Sequence, residues 1–146
     1  MEQAEGSVTI DAPLIDVMEV IEDYESYPEW AEVRRVDVRE RGEGGRATEV
    51  AFEVDVPVLG TASYTLRYQY APGDTGVSWV SREARGALRD IRGEYLLDEL
   101  DESTTKVTYR LGVELGPLVP GFIRTQGATR VIDNALERLK RRVEMG

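Results

Sequence analysis

From Val50 to Leu115 the chain repeats one pattern, an apolar side chain at every second position. Val50, Phe52, Val54 and Val56 form one row, Tyr64, Leu66, Tyr68 and Tyr70 a second, and Val77 with Trp79 a third. Ile91, Tyr95 and Leu97 share one parity, and Val107, Tyr109, Leu111, Val113 and Leu115 another. Alternation of period two describes a strand with one dry face and one wet face. Gly- and Pro-bearing stretches separate the rows at Gly42 to Gly45, Pro57 to Gly60, Pro72 to Asp74 and Gly86, and a polar, acidic stretch does so at Asp98 to Thr104. Connections of that kind are hairpins, which makes the sheet antiparallel.

Helical patterns sit at the two ends. Asp11-Ala12-Pro13 reads as a helix start, with Asp11 as cap and Pro13 in the first turn, followed by Leu14, Val17, Met18 and Ile21 at helical spacing. A short second helix is expected from Tyr24 to Trp30. The last helix begins near Pro120-Gly121 and carries the stripe Ile132, Leu136, Leu139 and Val143. The expected order is a short strand at about Ser7 to Ile10, two short helices, six longer strands and one long helix. The arrangement that buries both apolar surfaces is an α+β fold in which the sheet curls around the long helix.

A chain of 146 residues argues for one domain, 1–146. It contains no Cys and no His, which excludes thiol catalysis, an imidazole base and Cys- or His-ligated zinc. Lys and Arg number 18 against 28 Asp and Glu, a net charge of −10, so nucleic acid is not the expected partner. The acidic, polar start does not read as a signal peptide, and no apolar run reaches membrane-spanning length. The expected setting is the cytoplasm, without stable membrane insertion.

The segments Ile10-Asp11-Ala12-Pro13, Asp23-Tyr24-Glu25-Ser26-Tyr27-Pro28-Glu29-Trp30, Gly93-Glu94-Tyr95-Leu96-Leu97 and Ala135 to Glu144 follow one another in this order. In this the chain resembles the START-like, or SRPBCC, helix-grip superfamily, and within it the bacterial single-domain proteins of polyketide cyclase/dehydrase or coenzyme-Q-binding type. The resemblance covers essentially the whole chain. It implies a seven-stranded antiparallel sheet gripping the C-terminal helix, with a hydrophobic cavity between them. Members bind lipids, quinones, polyketides or plant hormones, and a few aromatise and cyclise polyketides.

The residues carry their own argument for a cavity. Stepping back from Ile132 at helical spacing gives Thr129, Ala128, Thr125 and Phe122, which apart from Phe122 are small or mildly polar. Opposite them the strands offer Phe52, Tyr64, Leu66, Tyr68, Trp79, Tyr95 and Tyr109. Small residues facing large rings leave space with hydroxyls at its edge, the character of a ligand pocket; the competing reading is that the rings interdigitate and fill it. The expected function is to carry or present a hydrophobic small molecule. The alternative is a cofactor-free polyketide aromatase/cyclase that uses the same cavity as a mould.

Arg67 is the one candidate for catalysis, because superfamily cyclases carry a working Arg near this strand position. Its parity opposes Tyr64, Leu66 and Tyr68, which points it to solvent. The carboxylate pairs Glu53/Asp55, Asp98/Glu99 and Asp101/Glu102 are also read as solvated, the last two in a turn spanning Leu97 to Thr105. No metal site or cofactor is expected: Gly42 to Gly45 opens no helix, and Leu97 to Thr105 lacks calcium-loop spacing. From Gly121 onward the chain carries six cations against three carboxylates. That basic helix is either a transient dock for a membrane or carrier protein, or a set of dipole-favoured and internally paired charges.

Overall fold

A computed structural model describes residues 2–56 and 59–146, apart from the side chains of residues 122, 123, 125 and 126. The elements in order are β1 (Glu2–Ile10), α1 (Leu14–Glu22), a 3-10 turn (Tyr24–Ser26), α2 (Tyr27–Trp30), β2 (Arg35–Arg41), β3 (Ala47–Val56), β4 (Gly60–Tyr70), β5 (Gly76–Arg85), β6 (Leu88–Asp101), β7 (Thr104–Leu115) and α3 (Gly121–Met145). The seven strands form one sheet in the order β1-β7-β6-β5-β4-β3-β2. Every ladder is antiparallel. The sheet curves around α3, the helix-grip arrangement expected from the alternating rows. The expected turn at Pro57 to Gly60 lies partly outside the described residues.

Three local expectations need correction. β1 runs from Glu2, not Ser7, and pairs with β7 from Glu2↔Val113 to Ile10↔Thr105. Its first residues on the inner parity are Glu2, Ala4 and Gly6, charged or too small to advertise a buried face. Asp11 is not the cap of α1: Pro13 occupies that position in extended geometry and no side chain caps the helix. The Asp11 N–H instead donates to Glu144 Oε2 at 2.8 Å, tying the chain's first bend to the end of α3. Finally, β6 continues to Asp101 and β7 starts at Thr104, so the loop between them is far tighter than Leu97 to Thr105. Asp98, Glu99, Asp101 and Glu102 are exposed as expected; their polarity mimicked a loop because this end of the hairpin is wet on both faces.

α3 lies along β1, next to β7 and α1. Ile132, Leu136 and Leu139 are buried there together with Ile10, Val17, Met18, Ile21 and Val107. Gly6 makes this approach possible. A Cβ at residue 6 would stand 2.7 Å from Ile132 Cγ2 and 3.3 Å from Leu136 Cδ1, closer than packed carbons tolerate. The stripe read from the sequence is thus the face by which α3 seats on the sheet.

Candidate functional site

The register of the ladders assembles an aromatic wall. Phe52 pairs with Tyr64 across β3 and β4, Tyr68 with Trp79 across β4 and β5, and Tyr95 with Tyr109 across β6 and β7. All have inward parity, so they share the concave face. Trp79 stands at the centre, with ring centroids 5.9 Å from Tyr68, 5.4 Å from Tyr95 and 5.7 Å from Tyr109. Its own ladder partner is Gly93. A Cβ there would fall 2.6 Å from the indole and 2.8 Å from the Arg110 carbonyl oxygen; the missing side chain is the room in which the indole lies.

Between this wall and α3 is a cavity of about 640 Å³, within the usual range for a small-molecule site. Phe52, Tyr64, Leu66, Tyr68, Trp79, Tyr95, Tyr109 and Ala128 all line it. Phe122 and Thr125 lie outside the described side chains. Thr129 does not line the cavity; it is exposed. At about 100° per residue Thr129 lies roughly 60° to one side of Ile132, whereas Val131 lies roughly 100° to the other. The cavity opens on the Val131 side, with Gly127, Val131, Asn134, Ala135 and Arg138 along it. It sits beside the apolar stripe and is not its continuation.

The charged residues lining the cavity, Glu2, Glu32, Asp55, Arg130 and Arg138, are exposed or partly exposed and mark its mouth. Among the described residues the deeper wall is apolar or phenolic. The hydroxyls of Tyr64, Tyr68, Tyr95 and Tyr109 make no hydrogen bond to another described residue, and no described side-chain oxygen is both sealed from open space and unpartnered. These four oxygens therefore reach the cavity. Burial pushes the Tyr64 phenol up to about 12 and raises those of Tyr68, Tyr95 and Tyr109 well above their ordinary value, so all four stay protonated.

The remaining tyrosines are engaged. The Tyr70 hydroxyl donates to the Ala47 carbonyl oxygen at 2.6 Å. With that proton committed, Tyr24 is the donor in the 3.0 Å contact between the Tyr24 and Tyr70 hydroxyls. Tyr27 donates to the Ile21 carbonyl oxygen at 2.6 Å. Arg46 lies over the Tyr70 ring, 4.2 Å from its centroid, and its guanidinium grips both Glu22 oxygens at 2.5 and 2.9 Å and Asp74 at 2.7 Å. Tyr70 thus does not line the cavity, despite its place in the apolar row: these bonds hold α1 and the Tyr24 turn against the sheet.

Sequence reasoning missed Tyr24, Tyr27 and Trp30 as cavity residues. The signal was available. Three aromatics at spacing three lie on one face of a helical turn, but Pro28 and the shortness of the segment concealed it.

Arg67 is on the outer face, with its side chain 54% exposed and 3.8 Å from Glu49, which Arg82 holds at 2.9 Å. It does not reach the cavity. The basic character of α3 is largely consumed within the molecule. Arg138 binds the Trp30 carbonyl oxygen and Glu32 at 3.2 and 2.9 Å, and Arg142 pairs with Glu29 at 3.4 Å. Lys140 pairs with Glu144 and Arg141 with Glu137 along the helix, and Arg124 donates to the carbonyl oxygens of Val119 and Gly116. No helix of the described residues is long and apolar enough to cross a membrane.

Known proteins share this architecture. A START superfamily protein from Mycobacterium smegmatis superposes with a TM-score of 0.89 at 18% identity, over 99% of each chain. The Zhui aromatase/cyclase from Streptomyces sp. R1128 superposes with a TM-score of 0.84 at 22% identity, over 97% of this chain and 93% of that one. The di-domain ARO/CYC BexL from the BE-7585A biosynthetic pathway gives 0.68 at 17% identity, with 99% of this chain on 46% of that one. At these identities the likeness establishes the fold. No curated protein matches the chain. Over residues 1–144, however, the sequence matches the family described as polyketide cyclase / dehydrase and lipid transport. With a START-like fold around an apolar cavity, that match supports a role in hydrophobic-ligand binding or cyclisation, and the chain belongs to the polyketide cyclase / dehydrase and lipid transport family.

Proposed function

We propose that this chain, as a single START-like domain in the cytoplasm, binds a hydrophobic small molecule between the sheet and α3 and carries or presents it. The observation that carries this reading is the cavity of about 640 Å³, apolar and aromatic in its depth and charged only at its mouth among the described residues. Enclosing an apolar ligand there removes its surface from water at roughly 25 cal/mol per Å², and the rings around Trp79 are already held by one another. Polyketide aromatisation in the same mould is the second reading. The phenol hydroxyls that face the cavity favour it, because a mould for cyclisation needs polar groups to hold carbonyls in place. The position of Arg67 on the outer face speaks against that side chain as its working group.

The test is a titration with a neutral apolar fluorophore, 1-N-phenylnaphthylamine, read by its emission and by tryptophan quenching. One-to-one binding is expected, with Trp79→Phe removing much of the quench and Ala128→Leu weakening binding at least tenfold, because its added atoms occupy ligand volume. The stability of Ala128→Leu in urea should match the parent or rise slightly, as filling a void commonly allows. Absence of binding, together with a loss of about 1–3 kcal/mol in Ala128→Leu, is the signature of an already filled core and would sink both readings.

A further inference from the structure

We infer that the cavity selects a neutral ring compound bearing a carbonyl oxygen in its buried part, read by the hydroxyls of Tyr64, Tyr68, Tyr95 and Tyr109, over a plain hydrocarbon or acyl chain. This rests on the ligand-binding reading above and narrows it to one ligand chemistry.

The seven tyrosines divide sharply. The hydroxyls of Tyr24, Tyr27 and Tyr70 are spent on protein partners. The other four have none among the described residues and face the open cavity. Their rings are not free to turn away: Tyr95 and Tyr109 lie 4.6 Å apart, Trp79 touches both, and Tyr64 lies 5.4 Å from Phe52. They are fixed polar groups inside an apolar wall.

A phenol donates strongly and accepts weakly, since its lone pairs are partly delocalised into the ring. Burial keeps these phenols protonated, so each has a proton to offer. The complement of such a donor is a ketone or quinone oxygen. An anionic oxygen fits poorly in the depth of the cavity. Among the described lining residues the cations are Arg130 and Arg138, both at the mouth, and a buried charge without a partner is costly. A saturated chain fits poorly too. It would cover four hydroxyls, strip their water and return no hydrogen bond.

The experiment compares fluorene with 9-fluorenone, which share a tricyclic skeleton and differ by one carbonyl in place of a methylene. Each is titrated into the parent, the four single Tyr→Phe variants and the quadruple variant. Relative to fluorene, fluorenone should lose about tenfold in affinity in the quadruple variant, the worth of one good hydrogen bond. Fluorene should bind the quadruple variant as well as the parent or better. The carbonyl stretch of bound fluorenone should lie below its value in cyclohexane in the parent and return to that value in the quadruple variant. The variants should melt at or above the parent temperature, because the deleted oxygens serve no partner among the described residues.

An unchanged fluorenone-to-fluorene ratio across the variants overturns the inference while leaving the cavity reading intact. So does a carbonyl stretch at the cyclohexane value in the parent, a measurement that needs no variant to fold. Variants that melt well below the parent would show that the hydroxyls already serve the fold, which also overturns it. If neither compound binds the parent, the ligand-binding reading fails and takes this one with it.

Discussion

Two adjacent faces of α3 meet the same curved sheet on different terms. Ile132, Leu136 and Leu139 press onto β1 so closely that Gly6 must do without a side chain. About a quarter-turn around the helix, Gly127, Ala128, Val131, Asn134 and Ala135 look across the cavity at the aromatic wall. A Cβ built on Gly127 meets nothing within 4 Å. One face carries branched aliphatics that fill space, and the other, Val131 apart, carries small or polar residues that leave it. The helix is an anchor on one side and a lid on the other, so stability and ligand binding are separable by substitution.

Alkali should produce the largest difference between the two faces. The apolar contact of Ile132, Leu136 and Leu139 with β1 holds no titrating side chain, and Lys140 reaches β1 only at its exposed edge, through the Thr9 carbonyl oxygen; the opposite wall is built of phenols. All seven tyrosines have raised values, Tyr64 to about 12 and the others chiefly through burial. The folded state therefore retains protons that the unfolded chain releases near the ordinary value of 10.0. Stability from this source is complete below about pH 10 and is lost as pH rises from there through the folded values. Absorbance at 295 nm and far-ultraviolet circular dichroism, followed together, should show phenolate appearing in one step coincident with unfolding. Gradual ionisation centred near pH 10 with the dichroism intact would mean that the wall is wet.

Truncating the anchoring face comes next. Leu139 is fully buried, and Leu139→Ala should cost about 2–5 kcal/mol in urea unfolding, the transfer loss plus the void it leaves. A cost below about 1 kcal/mol would show that α3 is not seated there. The same contact can be attacked from the sheet side. Gly6→Ala places a methyl against Ile132 and Leu136 and should cost about 1–3 kcal/mol, with ligand affinity changing less than stability. If Gly6→Ala is neutral, the close approach of α3 to β1 is wrong.

Much of this architecture is legible in the residues alone. Alternation over β3 to β7 marks the strands and their inward residues, because a period of two admits a single assignment of faces once hairpins connect the rows. The stripe from Ile132 to Val143 marks the anchor. The cavity's position is not legible. Stepping along the stripe leads to Thr129, but a helix crossing a curved sheet parts from it sideways as well as lengthwise, and no periodicity encodes that angle. The wall from the Tyr24 turn and α2 is hidden for a different reason. Tyr24, Tyr27 and Trp30 lie in a segment too short for a helical period to show, and what holds Tyr24 there is a non-local bond to Tyr70, 46 residues away. Likewise the Asp11 cap fails because α1 begins only at Leu14 with Pro13 in the cap position, and Asp11 marks instead the bend whose N–H reaches Glu144 at the other end of the sequence.

The smallest expected effect is the sharpest test of the lid face, because its sign is opposite to that of Gly6→Ala. Gly127 lies inside α3, where glycine sacrifices more backbone freedom on folding than alanine does. Placing a methyl in a helix interior is worth about 0.5–1 kcal/mol if the methyl meets no obstacle. The built Cβ meets none, since the space beyond it is the cavity. Gly127→Ala should therefore raise the urea midpoint without changing the slope of the transition, while Gly6→Ala lowers it. The methyl removes little of the roughly 640 Å³, so affinity for 1-N-phenylnaphthylamine should fall by less than threefold, far less than for Ala128→Leu. A loss of stability in Gly127→Ala would mean that residue 127 faces packed atoms, and the contrast between the two faces of α3 would collapse into a single, uniformly filled interface.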